Sequence, residues 1–283
     1  MYVDKSDECA QRMKDMGIDC LIVIGGDGSL KSARDYGLKG INVIGVPKTI
    51  DNDIVGTDIT FGFNSAVTTA TEAIDKLHTT AASHDRVLIL EVMGRDSGFI
   101  ALESGVAGGA DVILIPEIPY DIQKVVDKIN TRRSRGRNFS IIVVAEGAKP
   151  VGGDVVVKKI VEDSPDQVRL GGVGNAVAEE IEKRTGMETR ATVLGYMQRG
   201  GSPTPYDRVL STLYGSKAVE LAMEGTFNVM VAMQDNKLTT VDLNEVAGKD
   251  TAIGAPSSNR KGVALDSDLI QTARRIGIGF GDE

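Results

Sequence analysis

The chain has 283 residues, of which 41% are hydrophobic and 25% are charged, and its net charge is −8 at pH 7. The apolar content excludes a disordered chain, and the length suits one large α/β domain or two smaller ones. The negative charge argues against a general surface for nucleic acid or anionic membrane, because such surfaces need basic patches. A phosphorylated small substrate is not excluded, since a few well-placed arginines can form a local positive pocket.

The two cysteines, Cys9 and Cys20, have no metal-ligand spacing. We expect free thiols in a reducing cytosol. The first residues do not form the apolar segment of a signal peptide, and no apolar run approaches the roughly 18 residues of a membrane span. We therefore expect a soluble, cytoplasmic protein whose partners include neither a nucleic acid nor a membrane.

The chain opens with a helical pattern over Ser6–Met16, for which Ser6 is a candidate N-cap. Doubly wound folds usually open with a strand whose following turn binds a phosphate. We therefore expect that a first strand–loop unit is missing from this chain. The alternative is a genuine short N-terminal helix.

Short apolar runs then alternate with helical patterns. The runs are rich in Val and Ile and are bounded by Gly, Pro or Asp, which is typical of buried parallel strands. They are Cys20–Ile24, Asn42–Val46, Val87–Val92, Val112–Ile115, Ser140–Ala145 and Asn228–Met233. Apolar residues recur at helical spacing over Val67–Ala81, Val125–Ile129 and Val173–Thr185. This alternation predicts an α/β fold with helices on both faces of mostly parallel sheets.

Two later segments interrupt the alternation. Gly147–Gly172 contains closely spaced prolines and glycines and predicts an inserted loop, a hairpin or a mobile flap. Ala255–Asn259 predicts another loop, and Ser267–Ile276 predicts a last helix.

A glycine-rich turn, Gly25-Gly26-Asp27-Gly28-Ser29, follows the first predicted strand. Ligands bind at the carboxyl ends of parallel strands, and glycines let backbone N–H groups approach phosphate oxygens at a helix N-terminus. A carboxylate there would repel phosphate unless a cation stood between them, so Asp27 suggests Mg²⁺ held jointly by protein and phosphates. The alternative is a tight strand–helix turn with Asp27 as a cap.

A polar segment with Lys48, Thr49, Asp51, Asn52 and Asp53 follows the next predicted strand. Bringing these polar and charged side chains together costs free energy unless they contact a ligand or a metal. Asp51 and Asp53 are two residues apart and would point the same way in an extended chain. One could accept a proton from an attacking hydroxyl while the other positions it or holds a metal. The alternative is a solvated turn rich in Asp and Asn.

These two segments and four later ones resemble, in the same order, the motifs of the phosphofructokinase family. The later ones are Ser83–Arg86, Glu91–Arg95, Ala145–Gly147, and Glu188–Arg190 through Gln198–Pro203. The resemblance implies two doubly wound α/β lobes. It implies a nucleotide- and Mg²⁺-binding lobe of residues 1–63 and 198–252, incomplete without the missing unit. It also implies a fructose 6-phosphate lobe of residues 64–197 and 253–283.

The activity implied by the resemblance is phosphoryl transfer from ATP to the 1-hydroxyl of fructose 6-phosphate, in glycolysis. Asp51 would be the base, flanked by Thr49 and Asp53. Asp27 would help to hold Mg²⁺, with Asp53 assisting, and Arg95 would stabilise the transferring phosphoryl group. With the first strand–loop unit missing, the donor half-site would be incomplete and the chain weakly active or inactive.

The resemblance also implies how the sugar phosphate is bound. Met93, Gly94 and Glu146 would hold the sugar, and Tyr196 could hydrogen-bond the phosphosugar. The 6-phosphate would be bound by three arginines, which are Arg86, Arg190 and Arg199. In such enzymes the first two serve the neighbouring subunit's site, so a homo-oligomer, a dimer or tetramer, is expected.

The phosphoryl donor is open to two interpretations. Gly25, Gly26, Gly28 and Ser29 form the donor turn, and Gly28 resembles members that use ATP, because a side chain there would crowd a nucleotide. Lys48 resembles members that use pyrophosphate. Glycine and lysine together, with Tyr196 in place of a more usual histidine, resemble a mixed group that often uses ATP, so we expect ATP.

Other functions share some of these features. NAD kinases and lipid kinases carry a Gly-Gly-Asp-Gly turn but lack the Thr49–Asp53 run. A non-catalytic protein that binds sugar phosphates would be favoured by loss of Asp51 or Arg95, and both are present. A nicotinamide-binding dehydrogenase is disfavoured because no Gly-x-Gly-x-x-Gly turn is followed by the expected ribose-binding acid.

Overall fold

The computed structural model describes residues 4–160, 168–248 and 259–283. In chain order the elements are α1 (Ser6–Asp15), β1 (Leu21–Gly25), α2 (Asp27–Leu38), β2 (Val43–Thr49), β3 (Phe61–Gly62), α3 (Phe63–His84), β4 (Val87–Val92), α4 (Phe99–Ala107), β5 (Val112–Leu114), α5 (Ile122–Ser134), β6 (Ser140–Ala145), β7 (Val157–Ile160), β8 (Val168–Leu170), α6 (Val173–Thr185), β9 (Thr189–Val193), a 3₁₀ helix (Gly195–Arg199), α7 (Pro205–Glu224), β10 (Val229–Gln234), β11 (Lys237–Asp242), α8 (Leu243–Ala247) and α9 (Asp268–Arg275).

The chain divides into two compact units. Among the described residues, the first unit comprises 4–63, 203–248 and 259–261, and the second comprises 64–160, 168–202 and 262–283. The predicted lobes change at residues 63, 197 and 252, whereas the units change at 63, 202 and 261. The predicted change at residue 252 lies outside the described residues, and the functions assigned to the two lobes stay predictions.

The first unit contains a five-stranded sheet in the order β1-β2-β10-β11, with β3 paired to β2. Strands β1 and β2 are parallel, with Gly25 opposite Pro47, so the two polar segments after them begin at the same edge. The edge strand β11 pairs antiparallel with β10 and was not predicted. Its two-residue turn, Asp235-Asn236, adopts positive φ at both positions, as a tight hairpin requires.

Both faces of this sheet are covered by helices, as a central parallel strand requires. Val43 of β2 packs on one face with Leu30 of α2 and Leu243 of α8. Ile44 of β2 packs on the other face with Tyr214 of α7. The alternating side chains of β2 thus enter two different cores, which fixes the strand that carries Lys48 and Thr49 at its end.

The second unit contains a four-stranded, all-parallel sheet in the order β5-β6-β4-β9. Every residue of β4 and β6 is buried. Helices α5 and α6 cover one face, where Val125 and Ile181 pack with Ile89 and Ile142 of the central strands. The predicted α/β class with mostly parallel sheets is therefore confirmed.

Some local predictions need correction or completion. Ser6 is the first residue of α1 rather than its N-cap, because Lys5 holds the cap position and the Ser6 N–H donates to the Asp4 carboxylate (2.8 Å). Within Gly147–Gly172, β7 and β8 pair antiparallel, as the hairpin alternative predicted. Residues 161–167, and 255–258 of the predicted loop, lie outside the described residues. In the part of the chain that is described, no helix is both long and apolar enough to cross a membrane.

Candidate active site

The glycine-rich turn joins β1 directly to the N-terminus of α2. A Cβ on Gly25 would lie 2.4 Å from the Ser29 side chain, so only glycine allows the helix to turn back this closely. Gly26 is the N-cap, and the first helical hydrogen bond is donated by Leu30 N to Gly26 O (3.0 Å). The N–H groups of Asp27, Gly28 and Ser29 precede that bond. Gly28 and Ser29 are exposed, so the turn offers backbone donors and the positive helix end to an anion.

The segment after β2 is held by its own polar groups. The Thr49 hydroxyl donates to Asp51 Oδ2 (3.2 Å) and accepts from the Asp51 N–H (3.2 Å). Thr60 donates its N–H to Asn52 Oδ1 (3.0 Å) and its hydroxyl to Thr49 O (2.8 Å). Asp51, Asn52 and Asp53 are all buried.

The structure corrects the expectation of an extended chain between the two acids. Asn52 has φ +53°, in the left-handed region, and its side-chain bonds hold it there. The backbone therefore turns at the residue between Asp51 and Asp53. The negative charge of Asp51 is nevertheless close enough to raise the pKa of Asp53.

Two carboxylates of the first unit, Asp27 and Asp51, act on a third, Asp53. Burial raises the pKa of Asp53 to about 6, and the Asp51 and Asp27 charges add to this rise, whereas Arg260 opposes it. Arg260 places Nη2 3.4 Å from Asp27 Oδ2 and Nε 3.7 Å from Asp53 Oδ2. The site therefore contains a partly buried arginine that the sequence did not predict.

Asp27 and Asp53 are also the candidate ligands of Mg²⁺. No group of three or more His, Cys, Asp or Glu side chains within the described ranges could hold a metal ion by itself. Mg²⁺, however, is commonly bound by one or two carboxylates together with substrate phosphates and water. Burial is the main cause of the raised pKa of Asp53, and the charges of Asp51 and Asp27 raise it further. Because a cation would offset that repulsion, the residues fit such a site.

Lys48 lies at the exposed end of β2, next to Thr49 and opposite Phe61 of β3. Gly28 has open space around the position that a Cβ would take, with no heavy atom within 4 Å. Packing does not require glycine at position 28 or lysine at position 48. Both residues can therefore be assigned to donor selection.

In the second unit, the loops after β4 and β6 meet. Arg95 donates its N–H to Glu146 Oε1 (3.1 Å). A Cβ on Gly147 would lie only 2.0 Å from Arg95 O, so this glycine is needed for the approach. Gly94 and Arg95 both have positive φ, +143° and +51°, and strain of this kind at a non-glycine residue is typical of functional loops.

Gln198 ties the 3₁₀ helix to the same loop. Its side chain is 2% exposed, and its Oε1 accepts the Met93 N–H (2.7 Å). Tyr196 and Arg199, on either side of Gln198, are exposed. The structure thus brings Met93, Gly94, Arg95 and Glu146 together and anchors the segment of Tyr196 and Arg199 beside them.

Arg86 and Arg190 lie at the amino-terminal ends of the strands of this sheet, opposite to the loops after β4 and β6. Arg86 precedes β4, and Arg190 pairs with Leu88 near the start of that strand. Both arginines contact Glu188, at 2.7 Å from Arg86 and 2.9 Å from Arg190, and the Arg86 hydrogen bond lowers the pKa of Glu188. Five strand steps of about 3.3 Å separate Val87 from Val92 by about 17 Å. These two arginines are therefore not brought to the Met93–Glu146 cluster of their own chain.

Comparison with known proteins shows the family of the chain. A family model described as phosphofructokinase matches residues 2–222, which is more than half of the chain. The chain belongs to the phosphofructokinase family.

Named phosphofructokinases resemble the chain over nearly all of its length. It is 56% identical to "ATP-dependent 6-phosphofructokinase 2" of Clostridium perfringens, over 99% of this chain and 74% of that protein. It is 53% identical to the ATP-dependent 6-phosphofructokinase of Chloroflexus aurantiacus, over 96% of this chain and 71% of that protein. The solved phosphofructokinase of Saccharomyces cerevisiae matches with a TM-score of 0.72 and 35% identity, over 85% of this chain and 34% of that longer chain.

Three side chains in the sites of this phosphofructokinase-family chain were not given roles from the sequence. Arg260 lies 207 residues after Asp53, and a contact at that separation has no local signal. Gln198 and Glu188 stand inside recognised motifs, but their partners, Met93 and the Arg86–Arg190 pair, become visible only in the fold.

Proposed function

We infer that this chain is a 6-phosphofructokinase that transfers the terminal phosphoryl group of ATP to the 1-hydroxyl of fructose 6-phosphate. The products are fructose 1,6-bisphosphate and ADP, in glycolysis. The observation that carries this inference is 56% identity to an ATP-dependent 6-phosphofructokinase over 99% of the chain. The hydrogen-bonded acid segment supports it, because phosphoryl transfer depends chiefly on positioning and charge neutralisation.

We propose Asp51 as the general base. The O–H bond of the sugar 1-hydroxyl breaks, its proton passes to the Asp51 carboxylate, and the oxygen attacks the terminal phosphorus while the bond to ADP breaks. The Thr49 hydroxyl, at 3.2 Å from Asp51 Oδ2, orients the carboxylate. Asp53 provides a second carboxylate, two residues after Asp51.

Asp27, assisted by Asp53, is the proposed holder of Mg²⁺. When bound, the ion would supply positive charge that offsets the negative charge of the donor phosphates. The N–H groups at the start of α2 would bind donor phosphate oxygens directly.

The second unit supplies the groups that bind the sugar and stabilise charge. Glu146 is oriented by the Arg95 N–H and can accept hydrogen bonds from sugar hydroxyls. Met93 is fixed by Gln198 and can contact the sugar from a constant position. The Arg95 guanidinium would stabilise the transferring phosphoryl group, and Arg199 would bind the 6-phosphate with Tyr196.

We propose a homo-oligomer, a dimer or a tetramer, in which Arg86 and Arg190 bind the 6-phosphate of a neighbouring subunit. This is supported by the position of both arginines near the start of β4, whereas Met93 follows the end of that strand. Glu188 presents them as a pair. The cytoplasmic location stays a prediction.

The alternative donor is pyrophosphate, which the exposed Lys48 favours, whereas Gly28 and the names of the relatives favour ATP. Phosphorus NMR with Mg²⁺, fructose 6-phosphate and either donor tests both the reaction and the donor. We expect fructose 1,6-bisphosphate to form faster from ATP. Faster turnover with pyrophosphate would overturn the donor, and no bisphosphate from either donor would contradict the phosphotransferase assignment.

A further inference from the structure

Arg260 is a partly buried cation that lies near two acids of the proposed donor site. Its side chain is 16% exposed, and its guanidinium lies 3.4 Å from Asp27 and 3.7 Å from Asp53. These contacts are longer than the roughly 2.7–2.9 Å of a strong hydrogen bond between charged groups, and neither is bidentate. The guanidinium thus shares its charge between two carboxylates without a tight bond to either.

The backbone of Arg260 is positioned independently of these contacts. Ile54 and Arg260 form an antiparallel bridge, and Lys261 N donates to Asp53 O (2.8 Å). The Lys261 ammonium also donates to Thr57 O and Asp58 O. The chain around Arg260 is therefore fastened to the Asp53 loop by neighbouring groups, and the Arg260 side chain adds charge rather than the main attachment.

A permanent cation at this place has an electrostatic consequence. Buried carboxylates that repel one another are stabilised by a positive charge, and a guanidinium cannot lose its proton in a protein. The same positive charge repels a divalent cation that approaches the same carboxylates. Arg260 and a metal ion are therefore alternatives at Asp27 and Asp53.

We propose that Arg260 is an internal counter-ion that occupies the metal position of Asp27 and Asp53 in the nucleotide-free protein and suppresses binding of free divalent cations. Phosphates of the donor bring negative charge of their own, so the metal–nucleotide complex competes with Arg260 far better than the metal alone. Arg260 would make the site selective for metal that arrives with the donor. This inference rests on the proposed metal role of Asp27.

Binding of Mn²⁺ to the nucleotide-free protein, measured by electron paramagnetic resonance, tests the proposal without turnover. Arg260→Met removes the charge, and we expect it to bind Mn²⁺ about tenfold more tightly than the unsubstituted protein. Arg260→Lys keeps the charge and should bind Mn²⁺ as weakly as the unsubstituted protein. Arg34→Met is the matched control, because Arg34 is a buried arginine of the same unit that pairs with Asp35.

The outcomes separate this inference from the proposed function. Thermal unfolding first verifies that each variant is folded, and Arg260→Gln provides a second neutral variant if the methionine variant is not. If neither neutral variant binds Mn²⁺ more tightly, or if the lysine variant behaves like them, the counter-ion role is wrong while the metal role of Asp27 stands. If Asp27→Asn leaves Mn²⁺ binding unchanged, the metal role of Asp27 is wrong and the inference falls with it.

Discussion

The acid segment of the first unit and the paired arginines of the second unit differ in their exposure to solvent. Asp51 and Asp53 are buried, Asp51 accepts a hydrogen bond from Thr49, and the pKa of Asp53 is raised. Arg190 is 61% exposed and Arg86 30%, and a single partly exposed glutamate joins them. The difference indicates that the proposed reacting groups are fixed before substrate arrives, at a cost in stability. The arginines proposed to bind phosphate remain accessible.

The largest effect should come from the buried side of this comparison. We expect Asp51→Asn to lower kcat about a thousandfold, because an amide cannot accept the proton of the attacking hydroxyl. KM for fructose 6-phosphate should change little. Steady-state kinetics of this variant, beside the exposed control Asp19→Asn, provide the measurement, and a kcat near that of the control would remove Asp51 from the reaction.

The cost of burying Asp53 should appear in the pH dependence of stability. Its pKa is about 6 in the folded protein and 3.8 ordinarily. Between these values the folded state binds the proton and the unfolded state does not. The stabilising contribution is therefore complete below about pH 4 and is lost as the pH rises through 6, by about 3 kcal/mol.

Urea unfolding from pH 4 to 7.5 measures this cost. The Asp53→Asn variant should lack this part of the decline and be more stable than the unsubstituted protein at pH 7.5. Parallel stability curves for the two proteins over this range would show that Asp53 titrates normally.

Close backbone packing at the loops proposed to bind the sugar gives the next prediction. Gly147→Ala places a Cβ 2.0 Å from Arg95 O, and backbone cannot move aside as a flexible side chain can. We expect a loss of about 2 kcal/mol in unfolding free energy and a lower kcat through displacement of Arg95. Gly215→Ala is the control, since its Cβ would meet no atom within 4 Å and α7 should gain helix propensity. Equal stability of the two variants would contradict the close approach.

The smallest effect on activity is expected at the exposed pair of Arg86 and Arg190. Glu188→Gln removes the charge that joins Arg86 and Arg190, and we expect KM for fructose 6-phosphate to rise about threefold with kcat retained. The effect should shrink at high salt, which screens exposed charges. Glu180→Gln, which breaks a comparable pair with Arg184, should leave KM unchanged. A fall in kcat without a change in KM would place Glu188 outside phosphate binding.

Much of this arrangement could be predicted from the sequence because it is local. Strand β4 and β6 have the predicted bounds, and both polar segments follow their strands as expected. The missed features depend on distant or subtle partners. Arg260 reaches Asp27 and Asp53 from the far end of the chain. The turn at Asn52 depends on Thr60. Ser6 is not the N-cap of α1, because its N–H donates to the carboxylate of Asp4.

Strand β4 has one further consequence. It is buried along its whole length, with Arg86 before its first residue and Met93 after its last. In an assembly of the proposed kind, one inflexible strand would join two neighbouring catalytic centres. Any displacement of the strand on sugar binding at one end would reach the next centre at the other. Cooperativity between subunits would then need no separate relay, because the same strand would supply the coupling free energy.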